Sequence, residues 1–115
     1  MQNITVWHNP RCSKSRDALS YLDKKGIIPT IVKYLDETPS FDEIKNILKL
    51  LDMNARDLMR KKEDIYKELN LKDVASEDEL IKAMVENPKL IERPVVINEN
   101  RAVIARPLEN IDRIL

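Results

Sequence analysis

The sequence predicts a single α/β domain built on a mixed central sheet. Three observations lead there. Residues 4–35 read strand, helix, strand, and crossovers of this type join parallel strands with right-handed topology. Residues 40–91 carry helical spacing throughout. Residues 95–105 read as two β-branched runs around a polar turn, which is an antiparallel hairpin, and an apolar helix follows. The domain covers 1–115, with 40–91 as a helical insertion within it.

Ile4-Thr5-Val6-Trp7 is a short buried strand. The helix after it, running up to Gly26, places Ala18, Leu19 and Leu22 on one face with Tyr21 beside them. Gly26 followed by Ile27 fits a left-handed cap with its hydrophobic contact. Pro29 to Leu35 is rich in β-branched residues and predicts a second strand. Ser40-Phe41-Asp42-Glu43 and Ser76-Glu77-Asp78-Glu79 are capping-box patterns, each opening a helix. The first is followed by Ile44, Ile47, Leu48 and Leu51, the second by Leu80, Ile81, Met84 and Val85. Between them a short helix starts at Asn54 and carries Leu58, Met59 and Arg60, and Ile65, Tyr66 and Leu69 continue in helical style. Asn87-Pro88 ends the insertion's last helix. Val95-Val96-Ile97 is a strand, Asn98-Glu99-Asn100 a turn, and Ala102–Ala105 the return. Pro107 opens a last helix with Leu108, Ile111 and Leu115 on its buried face. The order β-α-β, helical insertion, β-β-α is a thioredoxin-like arrangement.

Lys+Arg and Asp+Glu both number 20, so the formal net charge is zero. That argues against a nucleic-acid binder but permits a local cationic pocket. One cysteine and one histidine exclude a disulfide framework and leave too few ligands for a structural zinc site. No apolar run approaches about 18 residues, so no membrane span is expected. Asn3, Thr5, His8 and Asn9 interrupt any signal-peptide core, which places the protein in the reducing cytoplasm. A monomer is the expected state.

The candidate site is His8-Asn9-Pro10-Arg11-Cys12-Ser13-Lys14-Ser15-Arg16. A lone cysteine is ordinarily a small buried hydrophobe. Pro10 before and the polar residues after argue against a core position here. Cys12 falls at a strand-to-helix turn, where the helix dipole and unpaired N–H groups favour negative charge. Arg11, Lys14 and Arg16 add to that field, as would a protonated His8. Such settings lower a thiol pKa from about 8.5 to roughly 3.5–7.5, giving the nucleophilic thiolate.

Arg93-Pro94 and Arg106-Pro107 frame the second strand region, each arginine at a strand end. Arg60 lies in the insertion, in Leu58-Met59-Arg60-Lys61-Lys62. Arginine's planar fork suits tetrahedral oxyanions, although most arginines in so charged a chain are solvated surface groups. Phosphatase-type anion loops separate cysteine and arginine by five residues, whereas Arg16 follows Cys12 after three. Redox C-x-x-C motifs need a resolving thiol where Ser15 stands. Any covalent intermediate on Cys12 must therefore be resolved by an outside thiol.

With these residues in hand, the sequence resembles the glutaredoxin-coupled arsenate reductases of the ArsC type, especially their short chromosomal relatives. His8-Asn9-Pro10 and Cys12 with Ser15-Arg16 match the active-site loop. Leu58-Met59-Arg60-Lys61, Glu92-Arg93-Pro94-Val95-Val96 and Ala105-Arg106-Pro107 match the three arginine segments. The match covers essentially the whole chain, departing at Arg11, Ser13 and Lys14, where arsenic-operon members carry smaller or less charged residues. The resemblance implies a thioredoxin-like fold with Pro94 cis. It implies arsenate, or a similar oxyanion, bound among Arg60, Arg93 and Arg106. It further implies attack by Cys12 supported by His8, with Asn9, Ser15, Arg16 and Pro94 in supporting roles. Glutathione would act as co-substrate and glutaredoxin as partner, with no bound cofactor and no metal.

Two other classes share features of the chain. A monothiol disulfide or glutathione oxidoreductase would use Cys12 but has no need of three arginines. RNA-polymerase-binding redox regulators of this fold use a C-x-x-C switch, which Ser15 denies this chain.

Overall fold

Strand β1 (Ile4–Trp7) runs at the centre of a four-stranded sheet of order β2-β1-β3-β4. The computed structural model describes residues 3–115. Strand β2 (Thr30–Val32) pairs parallel to β1, while β3 (Val95–Asn98) pairs antiparallel to β1 and to β4 (Arg101–Ile104). The mixed, thioredoxin-like sheet follows from the order of the elements: the crossover through α1 (Ser13–Lys24) makes β2 parallel, and the Glu99-Asn100 turn makes β4 antiparallel.

By its contacts the chain divides into two compact units. One is residues 1–37 with 93–115, the other residues 38–92. In the first, Ile4, Val6 and Val96 share a face of the sheet with Ala18 and Leu22 of α1. Ile111 and Ile114, from the C-terminal 3₁₀ helix Leu108–Ile114, complete that core. The Asn98 side-chain amide donates to the Ile114 carbonyl at 2.5 Å, and the Tyr21 hydroxyl to Asp112 at 2.7 Å, so the C-terminal helix is tied to both β3 and α1. Helix α1 closes in a Schellman motif: Gly26, at φ 75°, donates to the Asp23 carbonyl and Ile27 to that of Leu22.

Three elements differ from expectation. The helix expected to carry Leu58, Met59 and Arg60 ends at Leu58, and Met59 pairs instead with Ile91 in an isolated antiparallel bridge. The strand expected over 29–35 is only Thr30–Val32. The Lys33 carbonyl accepts the N–H groups of Asp36 and Glu37 at 2.9 and 2.8 Å, so the chain curls into a turn instead of continuing along β1. The last helix is 3₁₀ rather than α, with Pro107 as its N-cap in extended conformation.

The second unit is helical: α2 (Phe41–Leu51), α3 (Ala55–Leu58), α4 (Asp64–Glu68) and α5 (Glu77–Glu86). Ser40 and Glu43 form the full capping box on α2. At α5 the Ser76 hydroxyl accepts from the Glu79 N–H. Ile44, Ile47, Leu48, Leu58, Leu80, Ile81 and Met84 are buried. Arg56 Nη1 donates to the Tyr66 hydroxyl and to the Leu71 carbonyl, and Nη2 to the Val74 carbonyl, holding the segment between α4 and α5.

Candidate active site

The loop from β1 to α1 is shaped by its own side chains. The Asn9 carboxamide oxygen accepts the Arg11 N–H at 3.0 Å, and the Asn9 carbonyl accepts the Cys12 N–H at 3.0 Å. These bonds fold Asn9–Cys12 into a turn of the kind that Asn initiates. Arg16 reaches back from α1 to donate to the Pro10 carbonyl at 3.1 Å. Cys12 thereby becomes the N-cap of α1, half-buried, with extended backbone (φ −94°, ψ 122°). This is the strand-to-helix position expected from the sequence.

The Cys12 thiol pKa is lowered. Burial opposes this and is the largest single influence. It is outweighed together by the Ser15 N–H, the charge and hydrogen bond of Arg93, and the Lys14 N–H. The two N–H groups are orphan donors of the first helical turn, and the dipole behind them acts in the same sense. Arg106 adds a second cation: its Nη2 lies 3.7 Å from Cys12 Sγ. Its Nε donates to the Arg93 carbonyl at 2.6 Å. Arg93 and Arg106, read from the sequence as strand-end arginines, thus meet at the sulfur. The peptide bonds Arg93–Pro94 and Arg106–Pro107 are both cis; only the first was implied by the resemblance.

His8 behaves differently from the protonated group considered above. It is buried, and burial, then Lys33 and Arg16, lower its pKa below the ordinary value near 6.5. A lowered imidazole is neutral at pH 7, so it adds no positive charge at Cys12. Its Nδ1 lies 2.6 Å from Ser15 Oγ. Ser15 is fully buried, and its hydroxyl also accepts the Asn9 N–H at 3.0 Å. The serine at the would-be resolving position therefore ties His8 to the loop that carries the cysteine. Sequence reading had no signal for this pairing, because α1 brings together side chains seven residues apart across a turn.

Arg60 belongs to the helical unit. It forms ion pairs with Glu63 and, at 3.9 Å, with Glu92. Its N–H donates to the Leu90 carbonyl at 2.7 Å, while the Glu92 N–H donates to that of Leu58, framing a bridge between Met59 and Ile91. Among the described residues no cluster of three or more His, Cys, Asp or Glu could hold a metal ion. No described helix is long and apolar enough to cross a membrane.

A thioredoxin-like sheet that presents one acidic cysteine at a helix N-cap, with two arginines from the adjoining ends of β3 and β4 beside it, defines a single-cysteine thiolate protein. The chain belongs to the ArsC family, whose model matches residues 7–114. The arsenate reductase of Neisseria meningitidis is 47% identical over 117 residues, covering 100% of both chains. The protein YfgD of Escherichia coli is 50% identical over 112 residues, 96% of this chain and 94% of that one. The solved arsenate reductase from Vibrio cholerae matches with a TM-score of 0.96 at 46% identity, covering 99% of this chain and 98% of that one.

Proposed function

We propose that the chain reduces arsenate to arsenite, with Cys12 as nucleophile, glutathione as co-substrate and glutaredoxin as partner. The observation that carries this reading is the Arg106 guanidinium 3.7 Å from the sulfur of an acidified cysteine. An oxyanion needs cationic donors where the nucleophile stands, and a plain disulfide does not. Relatives that bear the name arsenate reductase support the same substrate.

The Cys12 thiolate attacks arsenic, an S–As bond forms, and one arsenate oxygen leaves as water after protonation. Arg93 and Arg106 offset the oxyanion charge as it approaches the thiolate. Arg60 is proposed as a further oxyanion ligand on the strength of its Leu58-Met59-Arg60-Lys61 segment. A glutathione thiol then attacks the Cys12 sulfur. The S–S bond forms as the S–As bond breaks, and the electron pair stays on arsenic, which falls from As(V) to As(III). Arsenite leaves with the glutathione proton. Glutaredoxin reduces the mixed disulfide by thiol exchange, a reaction favoured by an acidic, accessible sulfur as leaving group.

The test is arsenate-dependent NADPH oxidation with glutathione, glutaredoxin and glutathione reductase, run beside intact-protein mass spectrometry. Without glutaredoxin, arsenate and glutathione should produce a one-to-one glutathione adduct, absent from a folded Cys12→Ser variant. Turnover by that variant would end the proposal. So would arsenate reduction with glutaredoxin alone and no small thiol.

A further inference from the structure

The first turn of α1 and the start of the C-terminal 3₁₀ helix enclose a groove of about 480 Å³, lined by Lys14, Asp17, Ala105, Arg106, Leu108 and Glu109. Small-ligand sites commonly span about 300–1,000 Å³. Its floor is apolar, with Ala105 buried and Leu108 partly so. Its wall is held by Asn110, whose amide donates to the Ile104 and Arg106 carbonyls at 3.1 and 3.2 Å.

Charge is segregated along the groove. Arg106 stands at the sulfur, and Lys14 follows Cys12 by two positions. Asp17 is three residues beyond Lys14 on α1, so the two share a helix face. It lies five residues from Cys12, about 7–8 Å along the axis. Glu109 lines the same groove from the C-terminal 3₁₀ helix. Among the described residues, Lys14, Asp17 and Glu109 form no ion pair. The groove carries Arg106 at the sulfur, Lys14 two positions beyond Cys12, and the exposed carboxylates of Asp17 and Glu109 along its lining.

We propose that this groove seats the peptide thiol that resolves the Cys12 adduct, reading the tripeptide glutathione by its zwitterionic γ-glutamyl end. This rests on the reaction proposed above. The thiol meets Cys12 from the mouth of the groove. The γ-glutamyl carboxylate lies on Lys14, and the ammonium reaches Asp17 and Glu109. A neutral or purely anionic thiol satisfies only half of that pattern, so the groove selects the donor and Cys12 supplies the reactivity.

The test needs no arsenate. Reaction of the Cys12 thiolate with glutathione disulfide forms the Cys12–glutathione bond and releases one glutathione thiolate. Intact-protein mass spectrometry follows that rate beside the rate with uncharged bis(2-hydroxyethyl) disulfide, which sets the reference for thiol reactivity. In the double variant Asp17→Asn, Glu109→Gln the ratio of the two rates should fall about tenfold, the scale of losing exposed charge pairs. With the disulfide of N-acetylated glutathione, which lacks the ammonium, wild type and variant should give the same ratio. An unchanged ratio in the variant overturns the proposal, as does an equal fall with the N-acetylated compound. The two proposals fail separately. A groove-dependent ratio without arsenate turnover sinks only the arsenate reaction. Turnover with an unmoved ratio and an unmoved KM for glutathione sinks only the groove.

Discussion

Arg106 holds Nη2 3.7 Å from Cys12 Sγ while its Nε is fixed by the Arg93 carbonyl at 2.6 Å. The fork uses one edge on the backbone and turns the other to the sulfur. A lysine carries the same charge but cannot make both contacts. Arg106→Lys is therefore expected to lower kcat/KM for arsenate by roughly tenfold to a hundredfold, the scale of one charged hydrogen bond of about 1.5–3 kcal/mol. Steady-state kinetics against arsenate at saturating glutathione measures it, and a variant within twofold of wild type would remove Arg106 from the oxyanion site.

Cys12 should alkylate as an acidified thiol. Its lowered pKa means that reactivity toward iodoacetamide persists below about pH 8.5, where a free cysteine is losing its thiolate. Reactivity then falls as pH drops through the lowered value. Arg93→Met removes the charge and hydrogen bond that help depress it, so the alkylation midpoint should move upward. A midpoint that stays in place would show that the backbone N–H groups suffice.

The His8–Ser15 pair sets a second pH dependence. His8 has a depressed pKa in the folded state, so the unfolded chain binds more protons near pH 6. The stability it contributes is present above the unfolded value of about 6.5 and is lost as pH falls through the folded one. Thermal midpoints should decline from pH 7 to pH 5, less steeply in His8→Gln. Ser15→Ala should lower stability by about 1–3 kcal/mol, the cost of leaving a buried polar partner unsatisfied. Parallel curves for wild type and His8→Gln would exclude His8 as the source.

Arg56 gives a prediction remote from Cys12. Its guanidinium holds the Tyr66 hydroxyl and the Leu71 and Val74 carbonyls. Arg56→Ala should destabilise the protein by about 2–3 kcal/mol. Urea unfolding followed by circular dichroism reads this directly, and a loss below roughly 0.5 kcal/mol, the range of ordinary surface substitutions, would contradict it.

What could be read from the sequence was what is local along the chain. The Ser40 capping box, the Gly26 cap and the Cys12 turn each depend on residues within a few positions, and each is present. The strand-end arginines were legible because proline marks them. What escaped notice needs the folded chain. Lys33 acts on His8 because β2 lies parallel to β1, and the His8 backbone N–H donates to the Val32 carbonyl at 2.8 Å. The same adjacency, with the burial of the ring, holds His8 neutral, so the cationic form that would have added to the field at Cys12 is not the one present at pH 7. Strand β2 was overestimated because β-branched composition extends to Leu35, whereas the Lys33 carbonyl is taken by the following turn. Arg56 looked like any solvated arginine, since its acceptors include two backbone carbonyls with no side-chain signature.

Strand β1 begins at Ile4, yet its neighbour in the sheet begins at Val95, and the sulfur at 12 meets an arginine 94 positions later. On the ribosome, synthesis proceeds from the N-terminus at about 5–20 residues per second. For the seconds before residue 106 emerges, the nascent chain carries Cys12 without either arginine beside it. Its helix and turn can form, but the cationic pair cannot. Most of the protein's length is thus synthesised with the thiol lacking the charge of both arginines, and so less exposed to oxidants and stray disulfides than in the finished fold. The arginines' share of its acidity is acquired when β3 and β4 close on β1, so full reactivity arrives together with the completed sheet.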